Sequence, residues 1–236
     1  MEDNNKEDGV KIQEGTKDQY SNESATGITE AFWAKQIYIL KNSYINSLII
    51  ILNIIIYIYS YLSGYDFITR FEHRSELILA GKDYYRLVSS MFLHADVEHL
   101  FSNMLILCFV GANVEYDIGH IPYIILYFLS GITGNILTTI TDSLFVNYVP
   151  SIGASGAVFG IIGAVAVIVY FGRKNLRRGS NFILRLTMMI VLSVYSGFTA
   201  QNINNAAHIG GLIGGIIITM LITILGRKKY TMEEWL

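Results

Sequence analysis

The sequence predicts an all-α polytopic membrane protein with six transmembrane helices and both termini in the cytoplasm. Three observations carry that prediction. Hydrophobic residues make up 52% of the 236 and charged residues 15%, with a mean hydropathy of +0.42, a balance that points to membrane rather than to a soluble domain. The apolar residues gather into segments close to the ~20 residues needed to cross a hydrocarbon core. Lys and Arg are unequally shared between the connections on the two sides.

Residues 1–30 hold eight acids against three lysines and few large apolar side chains, the composition of a disordered, solvated tail. No apolar h-region follows Met1, so a secretory signal is not expected. Residues 31–43 form an interfacial segment: "EAFWAKQIYILK", Glu30 to Lys41, reads as a short helix anchored by Trp33 and Tyr38. The membrane domain covers 44–225, with spans expected at Tyr44–Ser63, Glu98–Glu115, Ile121–Thr141, Gly153–Phe171, Asn181–Phe198 and Ile203–Leu225. Residues 226–236 are left as a cytoplasmic tail.

Six spans put Lys35, Lys41, Arg173, Lys174, Arg177, Arg178, Arg227, Lys228 and Lys229 on the side of the N-terminus, nine in all, against four (Arg70, Arg74, Lys82 and Arg86) opposite. The positive-inside bias therefore makes both termini cytoplasmic, and the expected location is the cell membrane. All four opposing charges fall in one loop, Gly64 to Val97, too long for a plain connection. Part of it is expected in the outer interface, with its charges facing solvent. Cys108, the only cysteine, lies in an apolar stretch; it excludes an intramolecular disulfide and a thiolate cluster and reads as a small core hydrophobe. No basic cluster interleaves with aromatics, so nucleic acid is not an expected partner.

Polar side chains inside spans are costly and are functional candidates by default. His99 and Asn103 stand at i and i+4 in the second span, and His208 opens the sixth. Ser155 lies 18 residues before Arg173, His208 lies 19 before Arg227, and His99 lies 18 before Asp117; at 1.5 Å per residue each is about 27 Å from its cytoplasmic boundary. The second, fourth and sixth spans run in the same direction, so the three residues share one level in the outer part of the core. Gly156, Gly160 and Gly163 on the fourth span, and Gly210, Gly211, Gly214 and Gly215 on the sixth, have the small-xxx-small spacing of close helix contact.

Taken alone, "GASG" reads as packing, and it does not complete a G-x-S-x-G elbow because Ala157 holds the last position. Amide hydrolysis, however, needs a nucleophile, a base and oxyanion donors together. Ser155, His208, and His99 with Asn103 are of the right kinds for these roles. No Asp or Glu lies at that depth in the fourth or sixth span, so a Ser-His dyad is expected rather than a triad.

"GASG" at Gly153–Gly156, "HLFSN" at His99–Asn103 and "AHIGGLIGG" at Ala207–Gly215 together resemble the rhomboid intramembrane serine proteases, in family order, within a match from about Tyr85 to Leu225. The resemblance implies a rhomboid-like bundle of six helices. Ser155 is then the nucleophile, His208 the general base, and His99 and Asn103 oxyanion donors beside the Ser155 N–H. Tyr85-Arg86 stands where the family has Trp-Arg, His94 fits an additional loop histidine, and Glu115 matches a glutamate ending the second helix. Phe159 replaces a tyrosine that stacks on the histidine, which keeps the stacking surface and removes a hydroxyl. The implied partners are transmembrane protein substrates and membrane lipids, and the chemistry requires no metal or organic cofactor. The rivals are a non-enzymatic member of the fold that binds client helices, and a transporter. A cluster off the midplane and the lack of an inverted repeat speak against the second rival.

Overall fold

The computed structural model describes residues 33–172 and 204–226, and the chain divides into two compact units that part between Tyr38 and Ile39. Residues 33–42 are helical, and Trp33 and Tyr38, the expected interfacial anchors, are exposed. Residues 1–30, the expected fifth span from Asn181 to Phe198 and the tail after Gly226 lie outside the described residues.

Every regular element among the described residues is helical. In chain order they are α1 (Tyr44–Ser63), α2 (Tyr65–Phe71), α3 (Ser75–Leu79), α4 (Arg86–Ser89) with a 3-10 turn (Ser90–Phe92), α5 (Val97–Ile118), α6 (His120–Phe145), α7 (Ser155–Gly172) and α8 (Asn205–Gly226). By length and composition α1, α5, α6 and α8 are able to cross a membrane, and α7 is a somewhat shorter apolar helix. The expected first span matches α1 to the residue; the second, third, fourth and sixth shift by a few residues at their ends. α6, α7 and α8 pack on one another, and α5 lies against α7. Leu107, Val114, Leu126, Tyr127, Ala157 and Ile161 form the fully buried centre.

α5 carries polar residues along its length, and two of them, Asn103 and Asn113, are accommodated within the helix itself. Asn103 and Asn113 donate to the carbonyls of His99 and Phe109 one turn earlier, at 3.1 and 2.6 Å. Between them the helix widens into a π turn, Leu107–Gly111. Such a turn leaves carbonyls poorly matched to the α-helical ladder, and Asn46 of α1 donates to the Leu107 carbonyl at 2.9 Å. Tyr123 of α6 in turn donates to Asn46 Oδ1 at 2.6 Å, so a buried triad stitches three helices together.

Below it, Glu115 has no solvent exposure and accepts from the backbone N–H of Ile45 and Asn46, at 3.1 and 2.6 Å. Those are donors of the first turn of α1 that no helical carbonyl can reach, and a carboxylate there also meets the positive end of the helix dipole. His120 Nδ1 lies 2.5 Å from the same carboxylate. Glu115 thus does for α1 what Ser43, whose hydroxyl bonds to the Ile39 and Ala112 carbonyls, does not.

The small-residue faces meet as their spacing predicts. A Cβ on Gly211 or Gly215 of α8 would run into the carbonyl oxygen of Gly156 or Gly160 of α7, and one on Gly163 would sit 2.6 Å from the Leu212 carbonyl oxygen. Gly210 makes the same kind of approach to α6, where its Cβ would lie 2.8 Å from the Thr133 carbonyl oxygen. The obstacle in each case is backbone, which cannot swing aside.

Two substitutions test this frame by unfolding in detergent micelles. Gly211→Ala is expected to cost at least about 2 kcal/mol by overpacking. Glu115→Ala strands two buried N–H groups and is expected to cost about 3 kcal/mol, with Glu115→Gln, which keeps one acceptor, falling between that variant and wild type.

Candidate active site

The loop from Gly64 to Val97 builds the platform for the site. Arg86 is buried and donates to the carbonyls of Thr69 and Glu72, at 3.0 and 2.8 Å, and to Asp83 at 3.1 Å. For Arg86 this corrects the expectation that the loop charges face solvent, which the exposed Arg70 and Lys82 do meet: the guanidinium has five donors in a fixed fork and is consumed in tying α2 to α4. Tyr85 lies beside it, its ring 5.4 Å from the guanidinium carbon and its hydroxyl donating to the Arg70 carbonyl at 3.0 Å. Arg74 is occupied as well, by Glu72 at 2.7 Å.

From this platform Ser90 holds the approach to α7, its carbonyl accepting from Gly153 N at 2.9 Å. The Ser90 hydroxyl accepts from Asn135 Nδ2 at 3.0 Å, and the same amide nitrogen reaches the Leu87 carbonyl at 2.8 Å. His73 pairs its backbone with Ser151 in both directions, at 2.9 and 3.2 Å. Gly153 has φ +136°, a conformation that suits glycine. A Cβ there would fall 2.7 Å from His99 Cε1 and 2.8 Å from Nε2, and 3.6 Å from Ser155 Oγ. The missing side chain is therefore what allows the imidazole and the hydroxyl to flank one point.

Ser155 is the first residue of α7, so its N–H and that of Gly156 have no helical acceptor. Its Oγ stands 3.0 Å from Nε2 of His208, in the first turn of α8. Phe159, one turn along α7, stacks on the His208 ring with centroids 4.2 Å apart and planes 7° from parallel. His99 enters from the first turn of α5, whose N-cap is Asp96 accepting from His99 N at 2.7 Å. Asn103 is buried one turn deeper; one of its two amide N–H groups is engaged by the His99 carbonyl. Ser155, His208 and His99 thus come together, with Asn103 next in line on the same helix face. A cavity of about 20 Å³, room for one water, opens beside Ser155, lined among others by Ser90, Asn135, Ser151 and Asn204.

The rhomboid domain family model matches residues 81–224, most of the chain. The chain belongs to the rhomboid family. It is 37% identical over 147 residues to the rhomboid protease GluP of Bacillus subtilis, 61% of this chain and 27% of that protein. It is 34% identical over 149 residues to RHOMBOID-like protein 4 of Arabidopsis thaliana, 62% of this chain and 36% of the relative. A second Bacillus subtilis relative, YdcA, is 32% identical over 152 residues, 64% of this chain and 74% of that one. The matched stretch thus spans about a quarter of GluP and about a third of the Arabidopsis protein. Membership, with four helices among the described residues able to span, makes this rhomboid an integral membrane protein.

Several residues of the rhomboid site escape a reading of the sequence. Asn135 and His73 lie far along the chain from the residues they support. Asn204 does carry a local signal, an Asn at the residue before an apolar helical run, which is the N-cap preference; it accepts from Ala207 N at 3.0 Å. His94 is buried, its ring 5.1 Å from that of His99 and edge-on to it.

Burial pushes the His73 imidazole from its usual 6.5 down to about 4, and that of His94 down to about 3, with a charged His99 a further cause for the latter. Both are neutral when the protein is folded. Below pH 6.5 the unfolded chain binds protons that the folded one does not, so stability is complete above 6.5 and declines as pH falls towards 4 and then 3. Thermal unfolding in detergent between pH 7.5 and 4 is expected to give a falling midpoint, with a shallower slope in His73→Gln.

Proposed function

We propose that this rhomboid is an intramembrane serine endopeptidase that hydrolyses peptide bonds in or near the transmembrane segments of membrane proteins, through a Ser155-His208 dyad. The observation that carries the reading is the 3.0 Å contact of Ser155 Oγ with His208 Nε2 in an apolar helix pair. A serine serving only as a small packing residue needs no imidazole. The topology that goes with this function has six spans, the fifth at Asn181–Phe198, in the cell membrane with both termini cytoplasmic. The site then opens to the opposite side, which supplies water to a reaction carried out at membrane depth.

With the ring protonated at Nδ1, the Ser155 hydroxyl donates to Nε2. His208 takes that proton as Oγ attacks the scissile carbonyl. The tetrahedral oxyanion is received by the Ser155 N–H at the head of α7, by His99, and by Asn103 through its second amide hydrogen. His208 returns the proton to the leaving amine, and the acyl group stays on Oγ. It then deprotonates a water that attacks the ester, and carboxylate release regenerates the hydroxyl. Phe159 holds the ring plane by stacking and adds no proton-transfer group. A helical substrate has its backbone amides satisfied internally, so the scissile stretch must unwind to reach Ser155, and Gly, Pro or polar residues near it lower the cost.

Cleavage of a single-span substrate by the purified protein in detergent or liposomes tests the proposal. Ser155→Ala and His208→Ala are each expected to lose at least about a thousandfold in rate, and a fluorophosphonate is expected to label wild type at Ser155 alone. Undiminished cleavage by Ser155→Ala would sink the dyad and leave client binding by the same fold as the better reading.

A further inference from the structure

We propose that Asn204 is a positioning residue: it ties the segment leading into Ser155 to the helix that carries His208, and so sets the separation of the two reacting side chains. The inference rests on the serine-protease reading of the site.

Asn204 stands immediately before α8, and its carbonyl accepts from His208 N at 3.3 Å. Its side chain uses both ends. Oδ1 accepts from Ala207 N at 3.0 Å and from the Thr138 hydroxyl of α6 at 3.1 Å. Nδ2 donates to Ser151 Oγ at 3.0 Å. Ser151 precedes Ser155 by four residues, and Asn204 precedes His208 by four. The amide therefore closes one end of a frame whose other end is the Ser155–His208 contact, and the cavity beside Ser155 lies between, lined by residues of both sides.

The polarity of the bonds fixes which residue type can do this. The Thr139 hydroxyl donates to the Asn135 carbonyl at 3.0 Å, so it accepts from His73 Nε2 at 3.1 Å. That leaves His73 Nδ1 as an acceptor, 3.5 Å from Ser151 Oγ. The Ser151 hydrogen is thus directed to His73, and its oxygen is the acceptor that Asn204 meets. The position calls for an acceptor facing the helix and a donor facing Ser151 at once. An ionised Asp has no donor, and a Ser caps the helix yet is too short to bridge.

The glycine contacts that bring α7 and α8 together lie on the inner side of Ser155. Without the amide bridge nothing described here holds Ser151 to the head of α8 on the outer side, and a misplacement of about 1 Å is enough to slow a reaction up to a hundredfold. The deficit is expected on the chemical step, since neither side chain is one of the proposed reacting or oxyanion-donating groups.

The test uses Asn204→Ser, Ser151→Ala, their double variant and Ser151→Thr, in the full-length protein. Each of the first two is expected to lower kcat about tenfold with KM unchanged within twofold and the unfolding midpoint retained. The double variant should be no slower than the slower single, because both break the Asn204–Ser151 bond, and Ser151→Thr should restore the rate. Imidazole nitrogen NMR of 15N-histidine protein, with His208 assigned by its loss in His208→Asn, reads the geometry without turnover. The His208 Nε2 resonance should move in Asn204→Ser and Ser151→Ala towards its position in Ser155→Ala. An unmoved resonance overturns the proposal whatever the rates, as does a double variant whose loss is the product of the singles. If wild type cleaves nothing, the protease reading falls on its own, and the resonance still decides whether Asn204 sets the Ser155–His208 distance. Should Asn204→Ser fail to fold, Ser151→Ala, which leaves the cap intact, decides.

Discussion

Two backbones touching, that of α7 at Gly156 and Gly160 and that of α8 at Gly211 and Gly215, are the constraint from which the rest of the arrangement follows. Helices bearing ordinary side chains pack 8–10 Å apart, and the Ser155 hydroxyl and the His208 ring, projecting from the first turns of such a pair, would not meet. In a bilayer no hydrophobic driving force favours one helix contact over a lipid contact, so fit and hydrogen bonds decide which faces associate. The glycines supply the fit. The Ser155–His208 contact is then a by-product of packing, set where the two close faces end.

Close packing alone does not make polar groups tolerable among membrane-spanning helices. Around Ser155 the polar groups are met one by one: Gly153 N by Ser90, Ser151 by His73 and Asn204, Asn135 by the α4 segment. The loop from Gly64 to Leu93 does much of this, held in shape by the buried Arg86. Irregular backbone survives in such surroundings only where protein satisfies it. The loop therefore belongs to the site as much as the helices do, and its burial keeps His73 and His94 uncharged next to it.

How much of this can be read from the chain follows from the range of the interactions concerned. That Ser155, His208 and His99 come together is legible because helices have a fixed rise, so equal counts along parallel spans fall at one level, and because glycines at four-residue spacing announce a contact face. α1 is legible to the residue since nothing but apolar length defines it. Arg86 is misread as a solvent-facing charge because, Asp83 apart, its acceptors are main-chain carbonyls, which have no signature in sequence. The partners of Glu115 lie 69 and 70 residues away, and the short helices α2, α3 and α4 are too brief to show a period. Asn204 is half legible: its capping role has a local pattern, whereas its reach to Ser151 does not.

The π turn at Leu107–Gly111 sits between two jobs that α5 performs. On one side His99 approaches Ser155 and Asn103 bonds back to the His99 carbonyl; on the other, Glu115 faces the head of α1. A π turn is equivalent to one residue inserted into an α-helix, which rotates everything beyond it by roughly 100°. The two halves of α5 therefore keep separate phases, like two gears keyed at different angles on one shaft. The number of residues between Asn103 and Glu115 is then as much a determinant of this protein as their identities. Each half is free to change its side chains, while a single deletion in the five residues of the turn would aim one half or the other at lipid.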